Sequence, residues 1–213
     1  MTAFRLLRFA ERTCWASGVA GLVLFGGFHL GVAGSTHREL NRFATLQAAA
    51  KTGTPDQSLW SPTRVTAWQR LLSEPFPAPL AVLRIPKIRV EVPVFPGTDD
   101  RTLDRGVGHI ADTAHPGSDG NAGLAGHRDS FFRGLKDIAI GDTIELDTLD
   151  QTEVYLVERA WIVEPEDVSV LDPTPARALT LVTCYPFYFV GSAPQRFIVR
   201  AVLASSRPVS GSR

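Results

Sequence analysis

Near its N-terminus the chain has a long apolar run, which follows a short basic segment. Residues 14–34 contain no aspartate, glutamate, lysine or arginine, and Arg5, Arg8 and Arg12 precede them. A helix of this length spans ~30 Å, the thickness of a hydrocarbon core. Because arginine is retained on the cytoplasmic side, the pattern predicts a cytoplasmic N-terminus (1–13), a transmembrane helix and an exported remainder. A cleaved signal peptide is the alternative interpretation.

A helical and linker segment follows, over residues 35–77. Residues 35–50 predict a helix with a hydroxyl cap at its start. A polar stretch leads to a second short helix that begins at Pro62 and extends to Leu72, with proline in the first turn.

From Leu80 onward the pattern becomes that of a β protein. Short runs rich in β-branched and aromatic residues alternate with glycine, proline and aspartate. The predicted strands are 81–85, 90–95, 143–149, 153–163, 178–184 and 196–203, and the small residues 120–125 lead into Gly126 and His127. Many short strands with few helices predict a mainly β fold, a closed or nearly closed barrel over residues 78–204. We expect the tail, Ser205–Arg213, to be disordered.

Charge and cysteine content narrow the function classes. Lys plus Arg equals Asp plus Glu, 22 against 22, so no overall field favours nucleic acid as a partner. The chain has 2 cysteines, of which Cys14 lies in the predicted membrane segment. A disulfide framework is therefore excluded, and Cys184 has no evident disulfide partner.

Three residues of the β region carry candidate chemistry: His127 in AGHRD, Cys184 at the end of LTLVTC, and Arg196 shortly after it. A β-hairpin with a loop over 186–194 would hold Cys184 and Arg196 at the same end of adjacent strands. A thiolate can attack a carbonyl, an imidazole can protonate a leaving amine, and a guanidinium can stabilise an oxyanion. The three residues together indicate acyl transfer through a thioester.

Other interpretations of the same residues stay open at this level. A cysteine in a strand is often a small buried hydrophobe. The chain would then be a non-catalytic, membrane-tethered β domain that binds an envelope partner. Zinc ligation by His109, His115, His127 and Cys184 is a further possibility, although the usual ligand spacings are absent. The aspartates at positions 99, 100, 104, 112 and 119 are predicted turn formers and helix caps, so we assign no metal.

The motifs resemble those of the sortases, membrane-anchored cysteine transpeptidases. Thr180–Cys184 reads TLVTC, which matches the TLxTC motif of that family, and an arginine follows a short loop later, as Arg196 does. The strings AGHRDSFFRGL and LTLVTCYPFYFVGSAPQRFIVRA are most similar to class D. Cysteine transpeptidases that act on peptidoglycan stems usually carry His-Gly-Cys, and Thr183 before Cys184 departs from that pattern.

The resemblance implies a fold, a reaction and a location. The fold would be an eight-stranded sortase barrel without a cofactor. Cys184 would cleave an LPxTG-like motif near the C-terminus of a secreted protein, and an amine of a cell-wall precursor or a pilin lysine would resolve the thioester. His127 would serve as acid and base, and Arg196 as the oxyanion or substrate donor. Thr183 and Ala125 are the candidate substrate-binding residues. The catalytic domain of this thiol protease would lie outside a single-pass anchor in the cytoplasmic membrane.

Overall fold

The computed structural model describes Trp15 and residues 54–188 and 191–208. The predicted anchor, apart from Trp15, and the predicted helix over 35–50 lie outside these residues. Within the described ranges, no helix combines the length and apolar character needed to span a bilayer.

Eight strands close into a barrel in the order β1-β2-β3-β4-β7-β8-β6-β5. The strands are β1 (Ala81–Ile85), β2 (Val90–Pro96), β3 (Val107–His109), β4 (Asn121–Ala125), β5 (Thr143–Asp147), β6 (Gln151–Val163), β7 (Ala178–Tyr185) and β8 (Gln195–Pro208). The helices are α1 (Pro62–Leu71) and α2 (Asp100–Arg105), with 3₁₀ turns η1 (Pro86–Ile88), η2 (Arg133–Asp137) and η3 (Val168–Leu171). The predicted closed, mainly β barrel with short helices is confirmed.

The interior of the barrel is aliphatic because alternate residues of each strand point inward. In β7, Leu179 and Leu181 are fully buried, and Leu124 of β4 packs into the same core. Phe132 and Leu135, at the start of η2 and within it, close one part of this core. Burial of each such side chain stabilises the fold by roughly 1.5–3 kcal/mol.

Two boundaries differ from the sequence prediction. The short strand β3 was not predicted, because three residues, one of them glycine, give no clear alternating pattern. The predicted disordered tail is wrong at its start, because β8 continues to Pro208. Residues 205–208 pair with residues 151–154 at the beginning of β6, so β6 supplies the backbone hydrogen bonds that order them.

The order of the strands brings three chain segments to one edge of the barrel. β4 and β7 are parallel neighbours, so both end at this edge. β8 is antiparallel to β7 and therefore begins there. The chain leaves β4 at Ala125, passes Cys184 near the end of β7 and enters β8 beside Arg196.

Candidate active site

Cys184 and Arg196 are directly opposite each other in the antiparallel pair of β7 and β8. Leu179, Leu181 and Thr183 occupy the buried face of β7, so Cys184 belongs to the outer face, where it is half-buried. The predicted hairpin geometry is therefore confirmed. It holds a thiol and a guanidinium on adjacent strands at the rim of the barrel.

His127 follows β4 by one residue, and backbone contacts fix the loop that carries it. The amide of Gly126 donates to the carbonyl of Val182 at 3.1 Å, which joins this loop to β7. A Cβ on Gly126 would lie 2.7 Å from the Phe132 ring, so the close packing of the loop requires glycine. The Thr183 hydroxyl donates to the carbonyl of Gly126 at 2.8 Å.

Thr183 and Ala125, the two candidate substrate-binding residues, differ in position. Thr183 is 2 % exposed, and its hydroxyl is bonded to the histidine loop. It therefore lies beneath the site and supports it, rather than lining it. Ala125 is half-buried at the end of β4 and is paired with Val182, two residues before Cys184.

His127, Cys184 and Arg196 all line one open cleft of about 700 Å³. The structure thus brings together the three residues that the sequence singled out. The cleft is completed by residues of α1 and its N-cap, the histidine loop, η2 and the β7–β8 connection: Ser61, Arg64, Arg128, Asp129, Arg133, Phe187, Tyr188, Gly191, Ser192 and Ala193.

The imidazole of His127 lies in a charged and largely buried setting. Its Nε2 is 3.5 Å from Oδ1 of Asp104 and has no hydrogen-bond partner among the described residues. The same Asp104 oxygen accepts from Nη1 of Arg64 at 2.5 Å. Burial, followed by the nearby Arg64 cation, lowers the pKa of His127, while Asp104 and Asp129 act in the opposite direction. The neutral imidazole is therefore favoured in the free protein.

Helix α1 supplies a second anchor for the histidine loop. Nε of Arg64 donates to Oδ1 of Asp129 at 3.1 Å, and the Ser61 hydroxyl donates to Oδ2 at 3.0 Å. The Ser61 amide also donates to the Asp129 carbonyl at 3.0 Å. Burial alone would raise the pKa of Asp129, but Arg64 and Ser61 lower it below its usual value, so the carboxylate stays charged.

Sequence reasoning missed these contacts of Arg64, Asp104 and Asp129. Arg64 lies 65 residues before Asp129, and no local sequence pattern indicates a contact over that separation. Asp129 in AGHRD stands two residues after His127, and this proximity was the one available signal. Asp99, by contrast, caps α2 as predicted, since it accepts from the amide of Thr102 at 3.1 Å.

The arginines at the cleft have distinct contacts. Arg128 donates from Nη1 to the Pro186 carbonyl at 3.1 Å and from Nη2 to the Gly191 carbonyl at 2.8 Å, which ties the β7–β8 connection to the histidine loop. Arg133 places its guanidinium carbon 4.3 Å from the centroid of the Tyr188 ring. Arg196 donates from Nη1 to the carbonyl of the preceding residue at 3.0 Å.

The histidines considered as zinc ligands have other contacts. The rings of His109 and His115 lie 5.8 Å apart, and Nε2 of His109 lies 3.0 Å from the carbonyl of Ala114. Burial is the main cause of a lowered pKa at His109. Across residues 54–188 and 191–208, no three potential ligands are grouped closely enough to hold a metal ion.

Comparison with known proteins identifies relatives of this barrel. The model of the sortase domain matches residues 83–204. The chain is 39% identical to sortase D of Bacillus subtilis over 119 residues, which are 55% of this chain and 60% of that protein. It is 38% identical to sortase E1 of Streptomyces coelicolor over 149 residues, 61% of this chain and 42% of that protein. The chain thus spans about half the length of these two relatives.

Solved structures share the fold. A Clostridium perfringens sortase D5 transpeptidase superposes with a TM-score of 0.55 at 28% identity, over 66% of this chain and 89% of that chain. Sortase E1 of Streptomyces coelicolor, solved with a tripeptide in its active site, gives a TM-score of 0.57 at 36% identity, over 61% of this chain and 90% of that chain. The resemblance to class D is confirmed, with class E similar at nearly the same level. The family model and the closed barrel agree, and the chain belongs to the sortase family.

Proposed function

We propose that this sortase is a cysteine transpeptidase that cleaves an LPxTG-like motif near the C-terminus of a secreted protein. The acyl part is held as a thioester on Cys184 and passes to an amine of the cell envelope or a pilin. The observation that carries this proposal is the shared cleft, where Cys184, His127 and Arg196 meet at one edge of the barrel.

The first half of the reaction forms the thioester. The Cys184 thiol gives its proton to His127 as the sulfur attacks the carbonyl carbon of the scissile bond, and the carbonyl electron pair moves onto oxygen. When that pair returns, the C–N bond breaks and His127 gives a proton to the departing amine nitrogen. The product is an acyl group joined to Cys184 through sulfur, with His127 neutral.

The second half reverses the bond changes with a new amine. The incoming nitrogen attacks the thioester carbonyl and loses a proton to His127. The C–S bond then breaks, the sulfur takes the proton back from His127, and the Cys184 thiol is regenerated as the acyl group leaves on the amine. The low pKa of His127 suits this step, because a neutral imidazole is needed to take the proton.

Arg196 is suited to stabilise the oxyanion in both halves. Its Nη1 donates to main-chain carbonyls of its own loop, which orients the guanidinium. The other N–H groups of Arg196 make no hydrogen bond to the described residues and can donate to a developing negative charge.

The acyl part of the substrate is expected on the outer face of β4 and β7. Ala125 and Val182 are paired there, next to Cys184, and present small side chains to a peptide. Binding at the cell envelope agrees with the predicted single-pass anchor in the cytoplasmic membrane and an exported domain, which we retain as part of the proposal.

The test compares sorting peptides and variants. A panel of LPxTG-like peptides is incubated with the protein, and cleavage is followed by mass spectrometry. Cys184→Ala should abolish cleavage with an unchanged thermal transition, and Arg196→Lys should reduce the rate on the order of 100-fold because an ammonium cannot reproduce the guanidinium fork. Cleavage by Cys184→Ala at the parent rate would refute the proposal.

A non-catalytic binding module is the alternative, and thiol reactivity separates the two. An activated Cys184 should react with iodoacetamide faster than free cysteine at equal pH, and His127→Ala should slow this labelling. A protected, inert Cys184 would instead favour the binding module.

A further inference from the structure

The cleft around Cys184 concentrates positive charge in a chain that is neutral overall. The protein has 22 basic and 22 acidic residues. Of the described residues that line the cleft, Arg64, Arg128, Arg133 and Arg196 are cationic, and Asp129 is the one carboxylate. Such a local excess of one sign attracts a ligand of the opposite charge.

Three of these arginines already have defined contacts. Arg64 is neutralised by Asp104 and Asp129. Arg128 donates to main-chain carbonyls of the β7–β8 connection. Arg196 stands opposite Cys184, where the oxyanion would form.

Arg133 differs, because its guanidinium has neither a carboxylate nor a main-chain carbonyl as a hydrogen-bond partner among the described residues. It makes no ion pair in the part of the chain that the structure describes, and its Nε is buried without a hydrogen-bond partner. Its guanidinium is stacked 4.3 Å from the centroid of Tyr188, a ring that is 68 % exposed on the wall of the cleft. The stacking restricts the planar fork before any ligand arrives, which reduces the entropy lost on binding.

The position of Arg133 assigns it to the amine side of the reaction. His127 exchanges a proton with the amine, so the amine must lie on the His127 side of Cys184. The Phe132 amide donates to the His127 carbonyl at 3.3 Å, so the loop turns back to His127 at this residue. Arg133, the first residue of η2, comes directly after Phe132. Both His127 and Arg133 line the same cleft.

We propose that Arg133, stacked on Tyr188, binds a carboxylate carried by the amine partner of the reaction. A guanidinium and a carboxylate match in charge and can form two parallel hydrogen bonds. The inference rests on the proposed transpeptidase function and specifies its amine side. The carboxylate belongs either to the incoming acceptor amine or to the segment that departs from the sorting signal, because both occupy the same side of the thioester carbonyl.

The acceptor arm of the test uses Gly-Asp-amide and Gly-Asn-amide, which differ only in the carboxylate. Each is supplied with one cleavable sorting peptide, and the ratio of transfer to hydrolysis is measured by mass spectrometry. The donor arm compares sorting peptides with Asp or Asn two residues after the scissile bond. We expect a preference for Asp of roughly two- to fivefold in at least one arm, as for a partly exposed ion pair.

Variants connect the preference to Arg133. Arg133→Gln should bring the Asp-to-Asn ratio close to one, Arg133→Lys should keep part of it, and added salt should reduce it. The Asp-to-Asn ratio compares two substrates of the same variant. A general loss of activity therefore affects both rates equally and leaves the ratio unchanged. Lys136→Gln is the matched control, since this cation lies in η2 but is paired with Asp137 and does not line the cleft. It should leave the ratio unchanged.

The outcomes separate the two proposals. A preference in one arm identifies the source of the carboxylate, and a preference in both supports both sources. Equal use of Asp and Asn in both arms, or a preference that survives in Arg133→Gln, overturns the carboxylate site while cleavage still supports the transpeptidase. Absence of cleavage of every sorting peptide by the parent protein overturns the transpeptidase itself, and the carboxylate site with it.

Discussion

His127 shows how charges on neighbouring residues set the protonation of one side chain. Burial is the main cause of its lowered pKa, and Arg64 adds to it directly. Arg64 also binds the Asp104 oxygen that lies 3.5 Å from Nε2 of His127, so it partly neutralises the carboxylate that would favour the imidazolium. Arg64 and Asp104 therefore shift the pKa of His127 in opposite directions.

The first prediction is a pair of opposite pKa shifts. Arg64→Gln removes a cation and exposes Asp104 to His127, so the pKa of His127 should rise. Asp104→Asn removes the nearest carboxylate, so the pKa should fall further. Both shifts are measured by NMR titration of the imidazole protons.

The pH dependence of the cleavage rate should shift in the same direction as the pKa of His127 in each variant. The free protein must hold a neutral His127 to take the proton of the Cys184 thiol, which it later gives to the leaving amine, so the rate should rise as the pH rises through the pKa of His127. That limb should move to higher pH in Arg64→Gln and to lower pH in Asp104→Asn. Arg70→Gln, an exposed change on the same helix, should leave both measurements unchanged. A lowered pKa in Arg64→Gln would contradict this role of α1.

At the scale of elements, the two faces of β7 have different roles. Its buried face supports the site, and its outer face carries the nucleophile. Thr183 lies on the buried face with Leu179 and Leu181, while Cys184 lies on the outer face. The bond from Thr183 to the carbonyl of Gly126 joins β7 to the loop that carries His127. One strand therefore holds the nucleophile and also positions the histidine.

The second prediction tests this positioning. Thr183→Val leaves the Gly126 carbonyl without its side-chain donor, which should destabilise the fold by about 1–3 kcal/mol and reduce cleavage beyond the loss of folded protein. Thr180→Val is the matched control, because Thr180 is equally buried on β7 but bonds to Asn121 away from Cys184. Denaturant melts and peptide cleavage at a temperature where both variants are folded provide the comparison. Equal losses of activity in the two variants would show that Thr183 has no specific part in positioning His127.

At the scale of the whole molecule, the barrel has a reactive end and a stabilising end. Glu153 is fully buried at the end opposite Cys184, beside the last residues of β8. Its carboxylate accepts from Nη1 of Arg177 at 2.6 Å and from the hydroxyl of Tyr155 at 2.6 Å. Burial, followed by the bond to Glu153, raises the pKa of Tyr155, which keeps the phenol protonated.

The third prediction is that this end contributes stability without catalysis. Arg177→Met leaves the buried carboxylate of Glu153 without its cation, and the free energy of unfolding should fall by about 3 kcal/mol. Denaturant unfolding measures the loss, and kcat for sorting peptides should stay unchanged while the variant is folded. Arg159→Met, at an exposed position on β6, should change neither quantity appreciably. A large fall in kcat for Arg177→Met would contradict this separation of the two ends.

Much of the fold and the three cleft residues could be predicted from sequence, because the relevant signals are local. Cys184 and Arg196 flank a loop between two strands of clear β pattern, so their pairing follows from a hairpin. The burial of Thr183 was also predictable, since it shares the period-two face of Leu179 and Leu181. The pairing of Arg64 with Asp129 joins α1 to the histidine loop, two segments that only tertiary packing brings together, and no periodicity of the sequence indicates it.

The most direct test of the transpeptidase function is detection of the acyl-enzyme by intact-protein mass spectrometry. The protein is mixed with a sorting peptide, quenched in acid and digested to locate any adduct. We predict a mass increase on Cys184 equal to the acyl segment that ends at the fourth motif residue, absent from Cys184→Ala and discharged when an amine is added. Rapid peptide cleavage with Cys184 unmodified at every time point, or an adduct on another residue, would contradict it.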